Sequence, residues 1–270
     1  MMRIAHFWNW DLKAQYAWGD AMRAFADCGH RELLIDEWMA LRMALEPGFA
    51  AGIKKIADAS GVSFTGAHAP WGMWDLLVDE PGLEKVKPYV HTKLIKLLPE
   101  IFGIRHYVMH MMTWRGGYEG LFDDALERTE RELEPLLAAA SGNGMVICLE
   151  NGFSVVDNPE SILRLMRRFA GDHVGCCLDV GHLNIVAKRN RFSFDRYLEA
   201  LLPYIVVCHL HDNDGKEDRH WLPGDGIVDW KRLMPILRSA PRLQSLQNEA
   251  VSAGMTISER CRRIDVINAL

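Results

Sequence analysis

Eight short β-like runs, most of them apolar, recur along this chain, each parted from the next by a stretch with helical periodicity, and this alternation constrains the fold more than any other feature. The runs cover residues 4–7, 33–36, 63–67, 106–110, 145–149, 174–178, 205–209 and 245–248. Helical spacing of apolar residues fills 15–27, 49–59, 83–101, 122–140, 159–169, 194–202, 230–238 and 256–267. Near-continuous apolar runs belong to strands buried on both faces, hence to a parallel sheet covered by helices. Eight such units close a barrel more readily than they extend an open sheet. The expected fold is α/β, a (β/α)8 TIM barrel.

Local signals agree with this reading. Asp157-Asn158-Pro159 places capping side chains before a first-turn proline, and Ser193 is a candidate cap for the helix at 194. Gly61 and Gly103 follow helices where a left-handed residue is needed. No linker or low-complexity tract interrupts residues 1–270, so one domain is expected. A dinucleotide-binding sheet is disfavoured, since Gly224-Asp225-Gly226 comes late and lacks a third matching glycine.

A net charge of −5 gives no overall attraction to polyphosphate, which disfavours nucleic acid as a partner. No apolar run of about 18 residues offers a membrane span, and the start of the chain lacks a signal peptide's apolar centre, so a cytoplasmic protein is expected. Of the six cysteines, Cys148, Cys176, Cys177 and Cys208 lie in strand-like runs, and all six read as reduced.

The polar residues fall in a telling place. His68, His110, Glu150, Asp179, His209 and Glu249 stand at or just past the carboxyl ends of successive strands, where barrel enzymes assemble their sites. His6 lies within the first strand, in a register the sequence leaves open. A lone histidine at a strand end is usually structural. Six acids and imidazoles desolvated together call for a cation or a substrate to neutralise them.

His182, three residues beyond Asp179, either turns back over the mouth by way of Gly181 or follows an aspartate that merely caps a helix. The stretch from His209 to His220 is the densest in donor atoms. Asp212 and Asp214 read as turn residues beside Gly215, whereas Asp218 and His220 stand between a second metal site, a substrate contact and a solvated loop. Trp71, Trp74 and Trp114 could stack on the apolar face of a substrate or pack their own loops.

At these residues the chain resembles the xylose isomerase-like, or sugar phosphate isomerase/epimerase, superfamily, which includes the apurinic endonuclease IV branch. The resemblance rests on His68-Ala69-Pro70, Leu149-Glu150-Asn151, Asp179-Val180-Gly181-His182, His209-Leu210-His211-Asp212, Asp218-Arg219-His220, the segment from Pro223 to Trp230, and Asn248-Glu249. It implies one divalent ion (manganese, magnesium, cobalt or zinc) held by Glu150, Asp179, His209 and Glu249. It further implies that Glu150 and Glu249 act as the acid/base pair of a sugar, sugar phosphate or polyol isomerase or epimerase working through a metal-stabilised enediolate.

His68, His110, His182, Asp218 and His220 would then bind substrate or a second metal. The alternative that the resemblance carries is a zinc-dependent phosphodiesterase like endonuclease IV, using the larger ligand set. The chain departs from the epimerases at an arginine after the seventh strand: the matching position is Gly215, beside Lys216, with Arg219 further on. The implied partner is a small sugar or polyol, and association of several copies is left open.

Overall fold

The computed structural model describes residues 2–7, 10–13, 15–78, 80–111, 122–154, 156–190, 193–251 and 254–270. Its strands are β1 (Ile4–Phe7), β2 (Glu32–Ile35), β3 (Ser63–His68), β4 (His106–Met109), β5 (Val146–Glu150), β6 (Val174–Asp179), β7 (Ile205–Leu210) and β8 (Ser245–Asn248). They pair in parallel in sequence order, and β1 closes the barrel onto β8 through Ile4 opposite Leu246 and His6 opposite Asn248.

Helices follow every strand. They are α1 (Trp10–Lys13) and α2 (Trp18–Asp27) after β1, α3 (Glu37–Leu45) and α4 (Phe49–Ser60) after β2, α5 (Val86–Phe102) after β3, and α6 (Phe122–Asn143) after β4. Then come α7 (Pro159–Phe169) after β5, α8 (Val180–Asn190) and α9 (Phe194–Leu201) after β6, α10 (Trp230–Arg238) after β7, and α11 (Ile257–Asn268).

The apolar runs became strands because both faces are covered: every residue of β4 to β8 is buried. The helices bury one stripe only. In α7, Ile162, Leu163, Leu165 and Met166 face inward while Arg164, Arg167 and Arg168 stay in solvent. Truncating Leu165 or Met166 to alanine would cost about 2–5 kcal/mol. The expected boundaries hold as well. Asn158 accepts from the amides of Glu160 and Ser161 ahead of α7, Ser193 accepts from Arg196, and Gly61 and Gly103 end their helices at φ of 68° and 72°. All six cysteines are free thiols.

Among the differences from the sequence expectation, two lie on the mouth side of the barrel. Strand β2 ends at Ile35, because the Asp36 carboxylate is spent on the Met39 amide at 2.8 Å and starts α3 instead. Helix α8 begins directly after Asp179 with no intervening loop, so Gly181 is helical rather than a left-handed turn.

Candidate metal centre

Strand ends β5, β6, β7 and β8 bring Glu150, Asp179, His209 and Glu249 together, each offering a donor atom within 4.8 Å of the others. His209 Nδ1 lies 3.3 Å from Glu150 Oε2, 3.8 Å from Asp179 Oδ2 and 3.1 Å from Glu249 Oε2. This nitrogen is buried and makes no hydrogen bond.

Its protonation follows from what lies behind it. Gln247 Nε2 donates to His106 Nε2 and to Ser245 Oγ, each at 3.1 Å, so its amide oxygen faces His209 Nε2 and accepts from it at 3.1 Å. A neutral His209 therefore aims the lone pair of Nδ1 at three carboxylates. Four acceptors converging on one point need a cation or an extra proton among them. The donor set, one imidazole nitrogen and three carboxylates, suits a divalent ion.

The same construction recurs around the mouth. Nδ1 of His68 donates to the Ala69 carbonyl at 2.7 Å, that of His182 to Asn151 at 2.8 Å, and that of His220 to Glu249 at 3.3 Å. In each ring Nε2 is left facing a carboxylate: His68 faces Glu150 at 3.3 Å, and His182 and His220 face Asp218 at 3.3 and 3.1 Å.

Two further groups of ligand types result, His68 with His110 and Glu150, and His182 with His211, Asp218 and His220. Glu150 is shared between the first of these and the four-residue set, since its Oε2 is also 3.2 Å from His110 Nε2. Of the acidic and histidine residues singled out in the sequence for the mouth, all but His6 thus reach it.

Without an ion, protons must take its place. Burial alone would lower His110, but Glu150 and Asp75 raise it to about 9, and Asp218 and Glu249 outweigh burial to raise His220 to about 9. Burial pushes Glu150 upward, yet His209 and His110 hold its carboxyl well below the usual range.

Backbone design places these groups. Asn151 receives the Asp179 amide on its side-chain oxygen at 2.8 Å and returns a bond to the Asp179 carbonyl at 3.0 Å. Asp179 Oδ1 caps α8 by accepting from the His182 amide at 2.6 Å, so helix cap and mouth residue, read as alternatives in the sequence, coexist. His211 Nε2 bridges both Asp179 oxygens at 3.0 Å, and its ring stacks on His220 with centroids 4.0 Å apart and an interplanar angle of 7°. His220 itself adopts φ 47°, a costly backbone state for a residue with a side chain.

Glycines make the room. A Cβ on Gly66 would overlap His106, and one on Gly181 would overlap His211. The loop after β7 hangs on Asp212, whose two oxygens accept from the amides of Asn213, Gly224 and Val228 and from Trp230 Nε1. Asp214 closes a turn with Lys216 and Glu217, as its sequence context suggested.

The register of His6 is now defined: it points away from the mouth, under α2, with its Nε2 2.8 Å from His30 Nδ1 and its ring against Phe25. Trp71 is exposed and Trp74 half-buried, while Trp114 lies outside the described residues. Arg219 pairs with Glu217 at 2.7 Å, and Lys216 is exposed. The sequence reading missed Asn151, Gln247 and Asp75 as supporting residues and gave His211 no role. The signals available for His211 were its spacing of two from His209 and its place in the His209-Leu210-His211-Asp212 motif.

Residues 24–242 match the family model described as the xylose isomerase-like TIM barrel. An uncharacterized protein, y4fM of Sinorhizobium fredii, is 24% identical over 243 residues, covering 83% of this chain and 69% of that one. Among solved structures, the E. coli 3-keto-D-glucoside 4-epimerase superposes with a TM-score of 0.77 at 17% identity over the whole of both chains. A xylose isomerase-like TIM barrel protein from Mycobacterium smegmatis in complex with magnesium gives 0.71 at 14% identity, covering 99% of this chain and 95% of that one. At such identities the likeness is one of fold.

Proposed function

The chain belongs to the xylose isomerase-like TIM barrel family, and from that premise we propose that it is a divalent-metal-dependent isomerase or epimerase of a sugar, sugar phosphate or polyol. The observation that carries the reading is that Glu150 and Glu249 both stand against His209 Nδ1, 3.3 and 3.1 Å away. Glu150, Asp179, His209 and Glu249 would hold the ion, whether manganese, magnesium, cobalt or zinc. Bound there, it would polarise neighbouring substrate oxygens and make the adjoining carbon acid stronger.

The chain supplies the proton transfer. One glutamate takes the proton from carbon, leaving an enediolate on the substrate, and the other returns a proton to complete the rearrangement. Asn151 and His211 fix Asp179, and Gln247 fixes His209, so the pair works against a rigid background. The neighbouring epimerase agrees with a sugar substrate.

Solvent exchange of a carbon-bound hydrogen tests this. With the ion present, ketoses and cyclic polyol ketones should exchange, and Glu150→Gln or Glu249→Gln should cut the rate by about 10²–10⁴. Metal content must be measured on each variant. A panel with no exchange at full metal occupancy refutes the proposal.

One observation favours a second reading. His68, His182 and His220 repeat the carbonyl-anchored arrangement outside the four-ligand set, which supports a multinuclear zinc phosphodiesterase. That enzyme would bind about three zinc ions and cleave a phosphodiester, an abasic duplex among the substrates to try.

A further inference from the structure

We propose that His6, Cys28, His30 and Cys261 form a second, structural site for zinc or a similar sulfur-seeking divalent ion, set between β1 and the helices α2 and α11. It shares no residue with the mouth and does not depend on the reaction proposed above.

The end of α2 builds half of the site. Gly29, at φ 81°, closes the helix in a Schellman turn, its amide donating to the Ala26 carbonyl and that of His30 to Phe25. Cys28 and His30 thus ride on one rigid turn. Cys261 comes from the buried stripe of α11, which packs on α2, and its thiol is hydrogen-bonded to that of Cys28. His6 enters from β1. One ring nitrogen each from His6 and His30 and the Cys261 sulfur lie within 4.8 Å of one another, and all three residues are buried.

Both imidazoles are held from behind, as metal-binding histidines are. His30 Nε2 donates to Asp265 Oδ1 at 3.2 Å, and the Asn248 amide lies 3.3 Å from His6 Nδ1. His6 Nε2 and His30 Nδ1 are left facing each other across 2.8 Å. An ion takes the place of the proton between them. Bonds of about 2.0–2.1 Å to nitrogen set tetrahedral donors about 3.3 Å apart, so the rings part by about 0.5 Å.

The charges balance. Burial, reinforced by Arg260 and His30, holds His6 well below the usual imidazole range, so it is a neutral ligand. Burial pushes the Cys261 thiol up and Cys28 raises it further, so a cation is needed to draw off its proton. Two thiolates and two neutral imidazoles cancel a divalent charge, which matters beside the buried Arg260; with fewer thiolates a net charge would be buried there. On binding, both thiol protons pass to water, the His6 proton moves from Nε2 to Nδ1, and the Asn248 amide turns its oxygen to receive it. Nothing is oxidised. Two sulfurs and two imidazoles make a closed set that favours zinc or cobalt over magnesium and manganese.

Cobalt(II) titration of the reduced, metal-stripped protein tests the inference, because the residues assigned to the mouth ion carry no sulfur. Expected is a near-ultraviolet sulfur-to-cobalt charge-transfer band that survives a roughly hundredfold excess of manganese. It should vanish in Cys261→Ser, lose intensity in Cys28→Ser, and persist in Cys177→Ser and Asp179→Asn. Bound zinc should fall by one ion per chain in Cys261→Ser, and X-ray absorption of zinc-loaded Asp179→Asn should show two sulfurs near 2.3 Å. If Cys261→Ser fails to fold, the half-buried Cys28 carries the same test. Cobalt bound without a sulfur band overturns the site and leaves the mouth reading standing. A band that survives both Cys261→Ser and Cys28→Ser, or is lost in Cys177→Ser, also overturns it. No cobalt uptake at all defeats both.

Discussion

Gly181→Ala is the sharpest single perturbation of the centre, because one methyl group would strike the residue that holds Asp179. The new Cβ would fall on His211 Cε1 and Nδ1, well inside the roughly 3.5 Å at which such atoms touch. His211 has nowhere to go. It is fully buried, stacked on His220 and set edge-on to His182 at 76°, and it keeps Asp179 only while its Nε2 stays 3.0 Å from both oxygens.

Overpacking of this kind costs about 1–3 kcal/mol, which for a domain of this size lowers Tm by roughly 3–10 °C. Losing a hydrogen bond to a carboxylate costs about 1.5–3 kcal/mol, and charged to metal binding alone it weakens affinity by roughly 10- to 150-fold. Chelator competition with cobalt or zinc reads the affinity, and thermal unfolding reads the stability. A double-mutant cycle separates the two effects. His211→Ala should weaken binding to a similar degree, and adding Gly181→Ala to it should change little, since the clash is gone. Wild-type affinity in Gly181→Ala, or full additivity in the double variant, refutes the account.

Three other outcomes are expected. Asp212→Asn places an NH2 against amide and indole donors and should cost about 2–4 kcal/mol, read as a lower Tm and faster proteolysis between residues 213 and 229. Burial lowers His91 to about 4, its Nδ1 accepting from the Tyr107 hydroxyl and its Nε2 donating to the Trp74 carbonyl. Because the folded value lies below the unfolded one, its contribution is complete above about pH 6.5 and declines as pH falls toward 4. Urea unfolding should show about 2 kcal/mol of this loss by pH 5, and a shallower pH slope in His91→Gln. Saturating the centre at about 100 times Kd should add about 2.7 kcal/mol, so chelation should lower Tm by roughly 5–10 °C.

The sequence revealed the barrel because most of its parallel strands, covered on both faces, read as apolar runs between helical stretches, and all eight appear within a residue or so of their expected bounds. It revealed the mouth because strand ends are where a barrel's polar residues gather, and Glu150, Asp179, His209 and Glu249 do converge. Residues with two duties were hidden. Asp36 ends a strand and caps α3, while Asp179 ends β6, caps α8 and faces the mouth, so neither helix announced itself with a separate loop. Gln247 is one of three polar residues in the short strand β8, and nothing local marks it as the partner of His209. His211 meets Asp179 across 32 positions of sequence, a pairing that no local pattern encodes.

The carbonyl-moored histidines bear on how such a protein would be made. Their anchors, Ala69, Asn151 and Glu249, lie at the ends of β3, β5 and β8, so the rings are racked by strand pairing and helix packing alone. On the metal reading proposed above, folding and metallation would be separate events, in contrast to a zinc finger, whose chain collapses only around its ion. On that reading the finished barrel would wait for its cargo and exchange it afterwards, so the ion in a purified sample would record the supply of the cell that made it as much as the preference of the site.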